Sequence, residues 1–184
     1  FRRVLFRSAY GLGDINTIDF QTDSKPIFDA EDPALVKRLQ NIPVWDREML
    51  GGVYEEIQGI RTYFSFPTID VDRYTVGENY RQVYLGAREI NFSKLPKDAQ
   101  NWINMHLQYT HGQGVVMIPA AQAGDRFMTW LIKDIPPKSD FGLSTSRMAI
   151  YYGLEQKPYV IVPNDAGEIG SPIGDKEVIV HYDG

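Results

Sequence analysis

The sequence predicts an α+β fold, mixed and largely antiparallel, with several short helices. Three observations carry this. Segments with helical spacing cluster ahead of strand-like segments rather than alternating with them, which argues against a parallel α/β sheet. Two strand-like stretches are joined by Gly77-Glu78-Asn79, turn chemistry suited to a hairpin. Further short strand-like segments lie between glycine- and proline-rich turns in the second half.

In chain order, residues 1–8, FRRVLFRS, resemble the conceptual translation of a short-read sequencing adapter, so they are set apart as a non-native scar. Ala9 to Gly13 reads as the tail of a helix ended by glycine, and Ile15 to Phe20 as a weakly alternating strand. Asp32-Pro33 is a helix start, with Asp as cap and Pro in the first turn. Leu35, Val36 and Leu39 follow on one face, and Asn41 to Pro43 ends the helix. Asp46 caps a second helix with Met49, Leu50, Val53, Ile57 and Ile60 as its expected core face. Gly51 and Gly52 weaken that helix by roughly 1 kcal/mol each, so it must rest on packing. Tyr63 to Phe66, Ile69 to Val76 and Gln82 to Ile90 read as strands.

The stretch Leu95 to Pro119 holds two of the three histidines and reads as helix, turn and buried strand. Pro96 and Asp98 suit a helix start, and Ala99, Trp102, Ile103, His106 and Thr110 recur on one face. Gly112 is the expected left-handed stop, and Val115 to Ile118, closed by Pro119, suits a strand covered on both faces. Beyond it, Ala120 to Asp125 reads as a loop and Phe127 to Ile132 as a strand stopped by Lys133 to Pro137. Tyr151 to Gly153, Tyr159 to Val162 and Glu177 to Tyr182 complete the strand-like segments.

Composition bounds the function. The chain has 184 residues, enough for one domain that buries about 70% of its unfolded surface. Its net charge is −5, and −8 once Arg2, Arg3 and Arg7 are set aside. With no basic run, nucleic acid is not an expected partner. Cysteine is absent, which removes disulfides and thiolate chemistry. The longest uncharged stretch, His111 to Gly124, is too short and too polar for a span of about 20 apolar residues.

Candidate chemistry is thin. His106 and His111 are five apart, whereas two zinc ligands on one helix face want a spacing of four, and no glutamate follows His106. The structural alternatives are a helix-face His106 with backbone or hydroxyl partners, and a cationic His111 at the helix end. Asp70 and Asp72 share a strand face about 7 Å apart, a geometry for calcium or for a solvated face balanced by Arg81 or Arg88. Nucleophile-elbow, phosphate-loop and dinucleotide glycine patterns are missing, and no cofactor is expected.

Several blocks together resemble one family: YGL at 10–12, VWD at 44–46, IDVDRYTV at 69–76 and YRQVYLGAREIN at 80–91. LPKDAQNWINMHLQYTHGQGVVM at 95–117, WLIKDIPP at 130–137 and YYGLEQKPYVIV at 151–162 complete the set. These are similar to uncharacterised protein family (UPF) 0182, large multi-pass membrane proteins of bacteria and archaea. The resemblance implies transmembrane helices upstream in the same chain, and residues 9–184 as a truncated part of a soluble extracytoplasmic domain at the cell membrane. It brings no catalytic residues. Two readings follow: a binding or structural module of the cell envelope, or an envelope enzyme such as a metal-assisted hydrolase centred on residues 96–118. The second would use His106, His111 and Asp134, with Asp70 and Asp72 as an alternative metal pair.

Overall fold

Asp32 and Asp46 each open a regular helix. Each has extended backbone geometry, and its carboxylate accepts an N–H two residues on, from Ala34 and Glu48, both at 2.9 Å. One otherwise unpaired donor of each first turn is thereby met. Helix α1 runs over Pro33–Leu39 and helix α2 over Arg47–Gln58. The computed structural model describes residues 7–14, 16, 18, 19, 32–122, 128–144, 149–155, 159–173, 176–180 and 182. The chain divides into two units, Phe1–Glu31 and Asp32–Gly184. In the first, residues 7–9 are helical and the turn after them carries Gly11 at φ +63°, as the helix tail read from the sequence requires. The strand expected over 15–20 lies partly outside the described residues, and Asn16, Ile18 and Asp19 carry none.

Among its described residues the second unit holds nine short strands: β1 Phe64–Ser65, β2 Asp70–Val76, β3 Asn79–Ala87, β4 Glu89–Ile90, β5 Gly112–Gln113, β6 Val115–Pro119, β7 Ala149–Ile150, β8 Glu168–Ile173 and β9 Lys176–Val180. Every pairing among these strands is antiparallel: β1 with β4, β2 with β3 and β3 with β6, β5 with β7, β8 with β9. The fold is α+β, as the sequence predicts. The β2–β3 hairpin turns on Gly77-Glu78, with Val76 opposite Asn79 and Gly77 at φ +62°. A two-residue hairpin loop with glycine first matches the twist of its flanking strands.

The sheet β2-β3-β6 is covered on both faces at β6. On one side Val116, Ile118 and Ala120 join Leu50 and Tyr54 of α2, with Phe66, Ile69 and Tyr84. On the other, Met117 packs with Val76, Val83, Leu131 and Ile132. The alternation of β6 between these two clusters follows from its period of two, and confirms the buried strand. A third cluster gathers Phe64, Ile90, Phe92 and Leu95.

Several local expectations change in the folded chain. The buried face of α2 is Leu50, Tyr54 and Gln58, while Met49, Ile57 and Ile60 are exposed. Both stripes are available to the helix, and the sheet selects one. Tyr54 donates its hydroxyl to the Tyr84 carbonyl at 3.1 Å and packs its ring edge-on against Phe66, 5.5 Å away. Gly86 beneath it makes room, since a Cβ there would lie 2.8 Å from Ile69 and 3.2 Å from Tyr54. Helix α1 buries none of its residues, so Val36 and Leu39 stay exposed. Residues 128–131 form no strand, and Ile132 makes a single bridge to Met117. Likewise Tyr159 to Val162 carries no strand among the described residues, and the pairing near Tyr151 falls just before it, in β7.

The expected helix from Pro96 to His111 is also different. Residues 96–100 form tight turns, with Ala99 N–H on Pro96 O and Gln100 N–H on Lys97 O. The helix that follows widens into a π-helix over Asn104–Gln108. Gly112 is not a left-handed stop: it lies in β5, and the positive φ falls at Gly114 (+68°).

Gly112 is required by close approach, because a Cβ would stand 2.2 Å from the Arg88 carbonyl oxygen. Gly112→Ala is therefore expected to cost at least about 2 kcal/mol. Gly52→Ala, in the helix with nothing within 4 Å of the added Cβ, should instead stabilise by roughly 0.5–1 kcal/mol. Urea unfolding of the two variants beside the parent checks both signs.

Candidate functional site

The π-helix sets the geometry of the central stretch. Tyr109 N–H reaches back five residues to Asn104 O at 2.7 Å. A wider turn breaks the i, i+4 stripe, so His106 and Thr110 point inward while Trp102 and Ile103 face out. Wide turns of this kind are frequent at functional sites, which makes the surrounding side chains the natural place to look for chemistry.

His106 sits with its Nδ1 2.6 Å from the Tyr159 carbonyl oxygen. A lone pair would be repelled there, so Nδ1 carries the proton and donates. The ring packs between Trp102 and Tyr159, at centroid distances of 5.0 and 4.3 Å. The main chain adds a second tie, Ile161 N–H donating to His106 O at 2.8 Å.

His111 is buried elsewhere, against other partners. Its Nδ1 lies 2.9 Å from the Gly112 carbonyl and 3.2 Å from the Gln113 amide nitrogen, and its ring meets Tyr151 at 5.0 Å. Nδ1 faces both the Gly112 acceptor and the Gln113 donor and can serve only one of them, and Nε2 is buried with no hydrogen-bond partner among the described residues. Burial pushes its pKa below the ordinary 6.5, opposed by the Gly112 carbonyl and by Glu168. His111 is therefore a neutral interior side chain and not a cation at a helix end.

The carboxylate nearest this histidine in effect is Glu168, which sequence reasoning missed. It is fully buried on β8. Its Oε2 accepts the hydroxyls of Thr110 and, at 2.8 Å, Tyr151; its Oε1 accepts Tyr182 N–H at 2.7 Å. Three donors to one carboxylate make a strong charge-assisted set. Tyr151 thus touches His111 with its ring and Glu168 with its hydroxyl.

Arg88, expected on the surface opposite Asp70 or Asp72, is instead fully buried between β3 and β4. Its Nε donates to Gln58 O at 2.8 Å, and its Nη1 to Gln113 O at 2.6 Å and Asp134 O at 3.4 Å. The guanidinium lies 5.5 Å from the Phe66 ring centre. Burial pushes its pKa down to about 10, opposed by Asp134. It remains cationic at neutral pH. The sequence signal was present: an Arg-Glu pair, Arg88-Glu89, interrupts an apolar strand pattern, and both members are buried.

Asp134 contributes main chain more than side chain. It adopts φ +69° in the tight loop closed by paired N–H···O bonds between Lys133 and Lys138, and its N–H donates to Gln58 Oε1 at 2.7 Å. Asp70 and Asp72 lie on exposed β2. Asp70 accepts from Thr68 at 3.4 Å and Asp72 from Arg73 N–H at 2.8 Å, and neither makes an ion pair with Arg81 or Arg88. Asp70 also borders a groove of about 320 Å³ with Arg47, Glu48 and Phe66. Among the described residues no three His, Asp or Glu side chains converge as a metal site.

A family model described as "Uncharacterised protein family (UPF0182)" matches residues 4–184. The chain belongs to UPF0182. The UPF0182 protein of Syntrophobacter fumaroxidans is 48% identical over 175 residues, covering 95% of this chain and 20% of that protein. That of Methylococcus capsulatus is 50% identical over 157 residues, covering 85% and 18%. The Nitrosococcus oceani UPF0182 protein is 44% identical over 179 residues, 96% of this chain and 20% of its own length. The chain thus spans about a fifth of the length of these UPF0182 relatives. The matched region begins within the first eight residues. No solved structure matches the chain. UPF0182 is uncharacterised by its own description, so membership supplies no activity and no site residue.

The buried His111 yields a pH prediction with a definite sign. Its native pKa lies below 6.5, so below that pH the unfolded chain takes up a proton that the folded chain resists. Stability is present above pH 6.5 and is lost as pH falls, by up to about 1.4 kcal/mol per pH unit. Urea unfolding between pH 7.5 and 5 should show this slope, and His111→Phe should flatten it.

Proposed function

We propose that this chain is an extracytoplasmic binding or structural module of a membrane-anchored protein, joined to transmembrane helices upstream in the same polypeptide. The observation that carries the module reading is how the interior ionisable groups are used. Arg88 is spent on carbonyls at 58, 113 and 134, and Glu168 on donors from residues 110, 151 and 182. Groups engaged this way hold elements in place and have no lone pair or proton poised at an open cleft. His106 and His111 have separate partners, so the hydrolase reading lacks the shared site it needs.

The membrane attachment rests on the family resemblance and on length. Relatives about five times longer than this chain leave ample sequence for an anchor. No helix among the described residues is long and apolar enough to cross a membrane, so this reading assigns the anchor to sequence outside residues 1–184.

Topology can be read directly, because these 184 residues contain no cysteine. Glu78→Cys at the exposed hairpin turn, placed in the complete gene, should react with a membrane-impermeant maleimide on intact cells, above the level of the unsubstituted protein. Reaction only after lysis would overturn the extracytoplasmic assignment.

A further inference from the structure

We infer that β7 and Tyr151 form an acid-opened clasp over His111: a proton on that ring releases them from β5 while the sheet β2-β3-β6 stays folded. The attachment is short. β7 meets β5 through two residue pairs, Gly112 with Ile150 and Gln113 with Ala149. The next residue, Tyr151, lays its ring on His111 at 5.0 Å and donates its hydroxyl to Glu168 at 2.8 Å. Glu168 in turn accepts the hydroxyl of Thr110, the residue before His111. The clasp therefore closes on a titratable side chain that is only 1% exposed. Among the described residues, none of the three apolar clusters draws on residues 149–155. Segments with so little core contact open locally, at far lower cost than the whole domain.

The closed clasp has no place for a second proton. Nδ1 already faces the Gly112 carbonyl and the Gln113 amide, and Nε2 is buried without a hydrogen-bond partner among the described residues. A protonated imidazole donates from both nitrogens. The cation thus adds a buried N–H without an acceptor and a buried charge without a direct pair. The carboxylate facing it, Glu168, is held by Thr110, Tyr151 and Tyr182, so pairing it with His111 means breaking that set. Of the other charged groups against β5, Arg88 donates to Gln113 O and Glu89 accepts Glu155 N–H. Lifting Tyr151 instead lets water reach the ring. Burial holds the His111 pKa below 6.5 against the pull of the Gly112 carbonyl and Glu168. The open form therefore takes up a proton that the closed form resists, and acid favours opening.

The test is hydrogen exchange of the complete protein between pH 7.5 and 5, read by mass spectrometry and corrected for the intrinsic pH dependence of amide exchange. Peptides spanning 110–114 and 149–153 should lose protection below pH 6.5 by up to about tenfold per pH unit, the limit for one proton. Peptides from β2 and β3 should keep theirs. His111→Phe and His111→Gln both remove the titrating group, and in either variant that folds the pH dependence at 149–153 should vanish. The parent protein alone shows where protection is lost, so the test stands without the variants. Equal losses in β2 and β3 would mean global unfolding and overturn the inference. So would pH-independent protection at 149–153, or a pH dependence that survives in the variants and so belongs to Glu89 or Glu168.

Discussion

A guanidinium without solvent contact is the constraint on which the second unit depends. Taking the charge of Arg88 out of water costs several kcal/mol, and only close hydrogen-bond acceptors offset it. The acceptors are carbonyls at Gln58, Gln113 and Asp134, which belong to the end of α2, to β5 and to the loop after Ile132. These positions are far apart in sequence, so pairing Nε and Nη1 brings three elements to one point, while Nη2 is buried without a partner among the described residues. Gln58 is used twice, its carbonyl on Arg88 and its side-chain oxygen on Asp134 N–H. That explains why a polar residue ends the buried face of α2.

A second polar centre adjoins β5. Glu168 gathers Thr110, Tyr151 and Tyr182, and Tyr151 also covers the His111 ring. His111 belongs to this centre, and Gln113, two residues on, meets it with its side-chain amide while giving its carbonyl to Arg88. Gly112 between them allows the strand to lie directly against the Arg88 main chain. The stretch from His106 to Ile118 is therefore central for a structural reason: it links both buried charges and then enters the core as β6. Its histidines are employed in that linkage, one through Tyr159 and one through Gly112.

Strain is placed beside these centres. Ile60 is held at φ +65° by a three-residue turn in which Arg61 N–H reaches Gly59 O at 2.7 Å, and Asp134 is held at φ +69°. Positive φ is costly for a β-branched residue. Both positions flank the carbonyls that receive Arg88, so the backbone is bent where the buried charge needs its acceptors.

Local sequence determined what local chemistry controls. Asp32-Pro33 and Asp46 started helices because a carboxylate and a missing N–H act within one turn. Gly77 turned the hairpin, and the apolar run Val115 to Ile118 formed a strand buried on both faces. The α+β class and membership of UPF0182 were legible for the same reason, as they depend on pattern along the chain. Tertiary structure alone decided which of two apolar stripes α2 buries, because the choice belongs to Tyr54, Gly86 and the facing sheet. It also decided the fate of the charges. Arg88 and Glu168 look in sequence like surface residues, and their burial is permitted only by acceptors and donors that folding brings from 14 to 58 residues away. Distance along the chain hides such partners, and the cost of an unpaired buried charge is what makes their meeting decisive.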